Sequence, residues 1–159
     1  MIELTFCSRL TISRERLWAF HEDPQTALPI LAPPGQSIRL AHIDRPYGLG
    51  SRVIIESGPW PLRLRWVARI SQFDPPECFA DVQEKGPFAY WLHQHRFLTD
   101  GPDASLLIDH ITARLPAGLL GRTLMQRFVV RKLTSMFHHR HRATASALRA
   151  DISPAEVPR

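Results

Sequence analysis

Apolar and polar side chains alternate along most of this 159-residue chain, and Pro, Gly and Asp cut the alternation at short intervals. A period of two places successive side chains on opposite faces of an extended strand. "IELTFCSRLTI" sets Ile2, Leu4 and Phe6 against Glu3 and Thr5, which predicts a strand with one buried face. The same reading predicts six more strands: "SIRLAHI", "SRVIIESG", "LRLRWVARISQF", "ECFADVQ", "FAYWLHQHRFL" and "ASLLIDHITARL". They are joined by "DRPYGLG", "PWP", "DPP", "EKGP" and "TDGPD", connections that suit antiparallel hairpins rather than crossover helices.

The period changes in two places. After the first strand, Ser13 offers an N-cap and Glu15 suits a first helical turn. Leu17, Trp18 and Phe20 follow, and Asp23-Pro24 ends that helix. "PQTALPILAPP" has room for one short helical turn before Pro29, Pro33 and Pro34 stop it. From about 119 to 149, Leu124, Phe128, Val129, Leu133, Met136, Phe137, Thr144, Ala147 and Leu148 recur at helical spacing, with no Pro or Gly between Arg122 and Asp151. The predicted order is β-α-α-β6-α, an α+β arrangement. A curved antiparallel sheet of about seven strands needs cover for its apolar face, and a long helix supplies it. Where the sheet outruns the helix, a cavity remains.

Length and composition fit one globular domain, residues 1–150, and a flexible tail, 151–159, ending in "SPAEVPR". Cys7 and Cys78 have neither metal-type spacing nor the numbers for a disulfide framework, so both are expected as reduced thiols. The N-terminus lacks the basic and apolar regions of a signal peptide, and no apolar run approaches the ~18 residues that span a bilayer. A cytoplasmic location with no transmembrane segment is expected. The net charge is +5, and much of the excess lies in the last helix. There Arg122, Arg127, Arg131, Lys132, Arg140 and Arg142, with His138, His139 and His141, are expected on a solvated outer face. "MFHHRHR" touching an anionic surface is the alternative, but no motif for specific nucleic-acid reading is present.

Parity assigns the faces. In "LRLRWVARI", Leu62, Leu64, Trp66, Ala68 and Ile70 face in and the arginines face out. In "FAYWLHQHRFL", Trp91, His93, His95 and Phe97 share one face. Gln94 and Arg96 on the other prefer water more than neutral imidazoles do, so the Trp-His-His-Phe face points inward. In "ASLLIDHITARL", Asp109 lies among Leu107, Ile111, Ala113 and Leu115, an acid on an apolar face that needs a partner to stay charged. "ECFADVQ" leaves two choices open, Phe79, Asp81 and Gln83 or Cys78, Ala80 and Val82.

The element order, with "LWAFHEDP", "LAPP", "GSRV", "FADVQEKGPFAYWLHQHRF" and "MFHHRHRAT", resembles the helix-grip fold of the START, Bet v 1 and polyketide-cyclase superfamily (SRPBCC). More narrowly it is similar to a bacterial subgroup sometimes fused to sugar-epimerase-like dehydrogenase domains. The resemblance runs from about residue 2 to 149 and favours Phe79, Asp81 and Gln83 as cavity-lining. It implies a hydrophobic cavity between sheet and C-terminal helix for a small hydrophobic or aromatic molecule. The expected lining is Trp66, Phe79, Gln83, Trp91, His93, His95, Phe97 and Asp109, with Met136 and Phe137 from the helix. The superfamily mixes carriers and enzymes, so the fold does not select the chemistry.

On these faces Asp81, Gln83, His93, His95 and Asp109 converge. Three roles stay open: a structural hydrogen-bond network, a polar anchor for a ligand, or a reactive site. In a reactive site His93 or His95 would be a general base held by Asp81 or Asp109, or the His-x-His pair and a carboxylate would bind a metal. His-x-His on a strand is a weak metal signal, so no metal and no cofactor are expected. Ligand binding is the leading expectation. The alternatives are a cyclase, dehydratase or hydrolase-like enzyme using the Asp-His pair, and an interaction module for a separate epimerase or dehydrogenase-like partner.

Overall fold

The alternating segments form one antiparallel sheet in a computed structural model that describes residues 1–58, 63–116 and 122–158, with only the backbone at Arg122 and Thr123. The elements are β1 (Ile2–Leu10), α1 (Arg14–His21), α2 (Pro24–Leu31), β2 (Ile38–Ile43), β3 (Arg52–Ser57), β4 (Leu64–Asp74), β5 (Cys78–Lys85), β6 (Tyr90–Thr99), β7 (Ser105–Arg114), α3 (Arg122–Leu148) and β8 (Ile152–Pro154). The strands lie in the order β2-β3-β4-β5-β6-β7-β1-β8. This is the expected helix-grip arrangement, a curved sheet with a long C-terminal helix. The expected turn at 59–61, Leu62 and the helix start at 119–121 lie outside the described residues. Among the described residues no helix is long and apolar enough to cross a membrane.

The tail is not a loose end. β8 pairs antiparallel with β1, Leu10 facing Ile152 and Ser8 facing Pro154. The turn that makes this possible is at Arg149, whose φ of 53° is left-handed and reverses the chain just after α3. Asp151 is then tied to Thr11 by two hydrogen bonds, 3.1 Å through its carbonyl and 2.9 Å through its N–H. A Pro is tolerated in such a short edge strand because no further strand needs its missing N–H.

Both short helices begin on a side-chain cap. Ser13 accepts from the Arg16 N–H, and Asp23 accepts from the Gln25 N–H while Thr26 donates to it at 2.6 Å. With that start α2 runs two turns, not the one expected, and carries Pro29 inside. Its inner residues Ala27 and Leu31 are buried, which offsets the lost backbone bond.

α3 buries Leu133, Phe137, His141 and Ala145, four residues apart, together with Thr144. Leu124 and Phe128, expected in that stripe, are 75% and 56% exposed. At about 100° per residue both fall on the side of the helix opposite Leu133. Ala147 is also exposed, and Ala145 takes the inner position.

Two apolar clusters result. Under α1, Trp18 meets Phe73, Phe79 and Phe97 edge-on at 5.4–5.9 Å, with Leu10, Leu17, Ile70 and Leu107 around them. Under α3, Phe137 stacks on Phe6 at 5.2 Å beside Ile2, Trp91, Ile111 and Leu133. β4 and β5 slip register between Val67 and Ala68 and again between Ile70 and Gln72, and such irregularities bend a sheet.

Candidate functional site

Register places the polar residues side by side. Asp81 on β5 is directly opposite His93 on β6, and Phe79 opposite His95. Across the other edge of β6, His95 is directly opposite Asp109 on β7, and Phe6 of β1 is opposite Asp109 in turn. Facing pairs have Cβ atoms ~4.5–5.5 Å apart, so each imidazole is within reach of a carboxylate. The parity argument for β4, β6 and β7 holds. The open choice on β5 falls to the face of Phe79 and Asp81.

Asp109 is the hub. Its Oδ1 accepts from His93 Nε2 at 3.1 Å, and its Oδ2 accepts from His141 Nε2 at 2.9 Å. His95 Nδ1 also lies 2.7 Å from Oδ1, but out of line for a good hydrogen bond. All four side chains are buried. With its Nε2 proton committed, His141 accepts at Nδ1 from the Ser8 hydroxyl, 2.8 Å away. His93 likewise keeps its Nδ1 for the cavity, where Asp81 Oδ2 stands at 3.5 Å. The network bridges the two apolar clusters, because His95 stacks on Phe79 at 4.2 Å and His93 meets Phe137 edge-on at 4.9 Å.

Burial and partners pull these groups apart. Burial alone would raise the Asp109 pKa, but His95, His141 and His93 outweigh it and hold the carboxyl well below its usual range. Burial opposes charge on His93 too, yet Asp109 and Asp81 together raise its pKa. His95 has no such surplus: burial, then the neighbouring His93, lowers it to about 4. His21 from α1, whose ring is 6.1 Å from that of His95, is lowered to about 3 by burial and then by His95.

His21, His93 and His95, with Asp81, border a cavity of about 310 Å³. α2 contributes Ala27, Leu28 and Leu31; β2 and β3 contribute Ile38, Val53 and Ile55; β4 contributes Trp66, Ala68 and Ile70. Trp66 and Trp91 meet edge-on at 5.1 Å, and Tyr47, Phe79 and Phe88 add further rings. α3 closes the space with Leu133, Met136 and Arg140. The polar edges are mainly His21, Asp81, His93, His95 and Arg140.

Of the expected lining, Trp66, Phe79, Trp91, His93, His95 and Met136 reach the cavity, as does Asp81. Four residues do not. Asp109 stands behind the imidazoles it holds. Phe97 is packed against Trp18, Phe79 and His21. Phe137 is consumed by Phe6. Gln83 turns to the β5–β6 hairpin, donating to the Phe88 carbonyl at 2.7 Å and accepting from its N–H at 3.3 Å. A Cβ on Gly86 would collide with that side chain, so the glycine makes room for it.

His141 corrects the reading of the basic helix. Grouped with His138 and His139 as solvated, it is 3% exposed. Its spacing was the available signal, four residues after Phe137 and eight after Leu133. Arg140 and His21 were missed as cavity residues, and so were α2, β2 and β3. Cys7 and Cys78 are free thiols, as expected.

The sequence matches no protein-family model and no curated protein. The fold does match solved structures. A protein from Thermus thermophilus superposes with a TM-score of 0.68 at 16% identity, covering 92% of this chain and 99% of that one. A START superfamily protein from Mycobacterium smegmatis gives 0.65 at 11% identity, covering 92% and 97%. Norcoclaurine synthase from Thalictrum flavum, in complex with dopamine and hydroxybenzaldehyde, gives 0.65 at 15% identity, covering 92% and 87%. The fold is thus that of the START and Bet v 1-like proteins, in agreement with the resemblance seen in the sequence.

Proposed function

We propose that this chain binds a small, largely apolar molecule, with an aromatic ring and one polar group, in the cavity between its sheet and α3. The observation that carries the reading is the division of the cavity: aliphatic and aromatic walls, with hydrogen-bonding side chains concentrated about Asp81, His93 and His95. Such a layout lets the walls supply affinity and the polar end fix orientation. The volume of about 310 Å³ is roughly twice the ~150 Å³ cavity that admits benzene, so an occupant of about two fused rings fits. The protein of the same fold in complex with dopamine and hydroxybenzaldehyde lends support for aromatic ligands. Trp66 and Trp91 in the wall report occupancy. Titration with naphthols and naphthoic acids is expected to change tryptophan fluorescence saturably, with naphthalene weaker than either. No saturable response across such a panel refutes the reading.

A second reading has its own observation. His95 and His93 border the cavity while Asp109 stands behind both, the layout of a general base oriented by a carboxylate. A cyclase or dehydratase-like proton transfer on the bound molecule would use it. Loss of turnover in a folded His95→Ala variant that still binds ligand supports this; unchanged turnover removes it.

A further inference from the structure

We infer that Asp81, His93 and His95 form a binding site for one divalent transition-metal ion of the zinc type at the polar end of the cavity. The side chains bring one ligand atom each to within 4.8 Å of one another. Asp81 Oδ2 and His93 Nδ1 are 3.5 Å apart. That is long for a hydrogen bond, which favours 2.7–3.2 Å in general. It is close to the separation of about 3.3 Å between two ligands that each sit about 2.0–2.1 Å from a tetrahedral zinc ion. His95 completes a two-histidine, one-carboxylate donor set.

The surroundings of the two rings carry the inference beyond a mere cluster. Histidines that bind metals direct their other nitrogen to a carboxylate, which fixes the tautomer and aims the free lone pair. Here Asp109 plays that part for His93, accepting from its Nε2 at 3.1 Å, and its Oδ1 also lies 2.7 Å from His95 Nδ1, out of line for a hydrogen bond. The nitrogens not against Asp109 are His93 Nδ1 and His95 Nε2. Asp109 is itself fixed from α3 by His141, and His141 by Ser8, so the aim of the His93 imidazole is set through three separate elements. Charge agrees in sign, since Asp81 and Asp109 bring two carboxylates against the single guanidinium of Arg140 on the cavity wall. The cavity beyond leaves coordination positions for water or for a ligand's oxygen. This site does not depend on an organic ligand being bound, so its test and that of the ligand reading fail separately.

The probes are Zn²⁺ in calorimetry and Co²⁺ in absorption spectroscopy, on protein first treated with a chelator. One ion per chain is expected, with cobalt bands of a four- or five-coordinate nitrogen–oxygen site. Asp81→Asn and His95→Ala, each checked for native circular dichroism, are expected to weaken binding by at least 100-fold. Asp109→Asn, which touches no ion, is expected to weaken it by about 10- to 100-fold, the usual cost of losing an outer carboxylate. His42→Ala, at an exposed ring paired with Asp44, is expected to change nothing. Binding that survives both Asp81→Asn and His95→Ala, or no binding at the protein concentrations used, overturns the inference. Because Asp81 is only half-buried, the Asp81→Asn variant keeps the test decisive should the histidine variant fail to fold.

Discussion

The two walls of the cavity are built on opposite terms. On the β5–β7 side the inward residues are nearly all closed off from water, and the β7 carboxylate is surrounded by three imidazoles from one strand and a helix. On the α2–β2–β3 side the lining residues are mostly aliphatic, with Gln36 and Ser57 as exceptions, and much of β2 and β3 is only half-buried. The first wall fixes where a polar group must sit, because each of its members is oriented by another. The second shapes the space with fewer hydrogen-bonding side chains.

Removing the hub is the harshest way to break the comparison. Asp109→Ala leaves buried imidazoles without their acceptor, and breaking such a buried charged network costs about 3–5 kcal/mol. Urea denaturation is expected to show a loss of that size or outright unfolding. Asp109→Asn keeps one acceptor oxygen and is expected to lose less.

Acid acts on the same wall. His21 is held at about 3 and His95 at about 4, against 6.5 for a free ring. The unfolded chain takes up these protons below about 6.5, and the folded chain refuses them until much lower pH, so stability falls as pH falls through that window. The loss is about 2 kcal/mol per ring at pH 5. His93 works in the opposite sense: its raised pKa adds stability that is complete below about 6.5 and lost as pH rises through the folded value. It therefore cannot flatten the slope between pH 6 and 4. Denaturation of chelator-treated protein across that range is expected to show the decline, and His21→Leu to make it shallower. A flat profile contradicts the burial argument.

Apolar lining residues, such as Ala68 on β4 beside β3, should tolerate more. Ala68→Phe places a ring in the cavity and is expected to weaken ligand binding by at least tenfold. Stability is expected to change by less than the about 1–3 kcal/mol typical of overpacking, because the ring enters open space. Equal binding in this variant would separate ligand response from the cavity. The mildest change is Ser8→Ala, which removes the outermost hydrogen bond of the network and is expected to cost about 1 kcal/mol.

The polar wall was also the more legible one. Parity alone turned Trp91, His93, His95 and Phe97 inward, and an acid on the apolar face of β7 announced Asp109. Parity gives a face, however, and not a depth. Phe97, Phe137 and Asp109 are on the inner side but behind other side chains, which only the packed neighbours decide. Gln83 was misread because the backbone of Phe88, five residues on in the hairpin, offered its amide a better partner. His141 was hidden among basic neighbours whose charge suggested solvent, although its spacing from Leu133 and Phe137 marked it as inner. The aliphatic wall was legible as strands but not as a cavity wall, since β2 and β3 alternate without saying which residues meet a void. The tail was misjudged because its pairing depends on a single left-handed residue, Arg149, where glycine is the usual marker.

The account rests on the cavity holding an aromatic molecule with its polar group at the imidazole end. A crystal structure of the protein soaked with a brominated naphthol tests this most directly. The expected result is anomalous density for bromine beside the β2–β3 wall, with the hydroxyl within hydrogen-bond distance of Asp81, His93 or His95. Bromine found only on the outer surface, or a cavity filled by its own side chains, would contradict it.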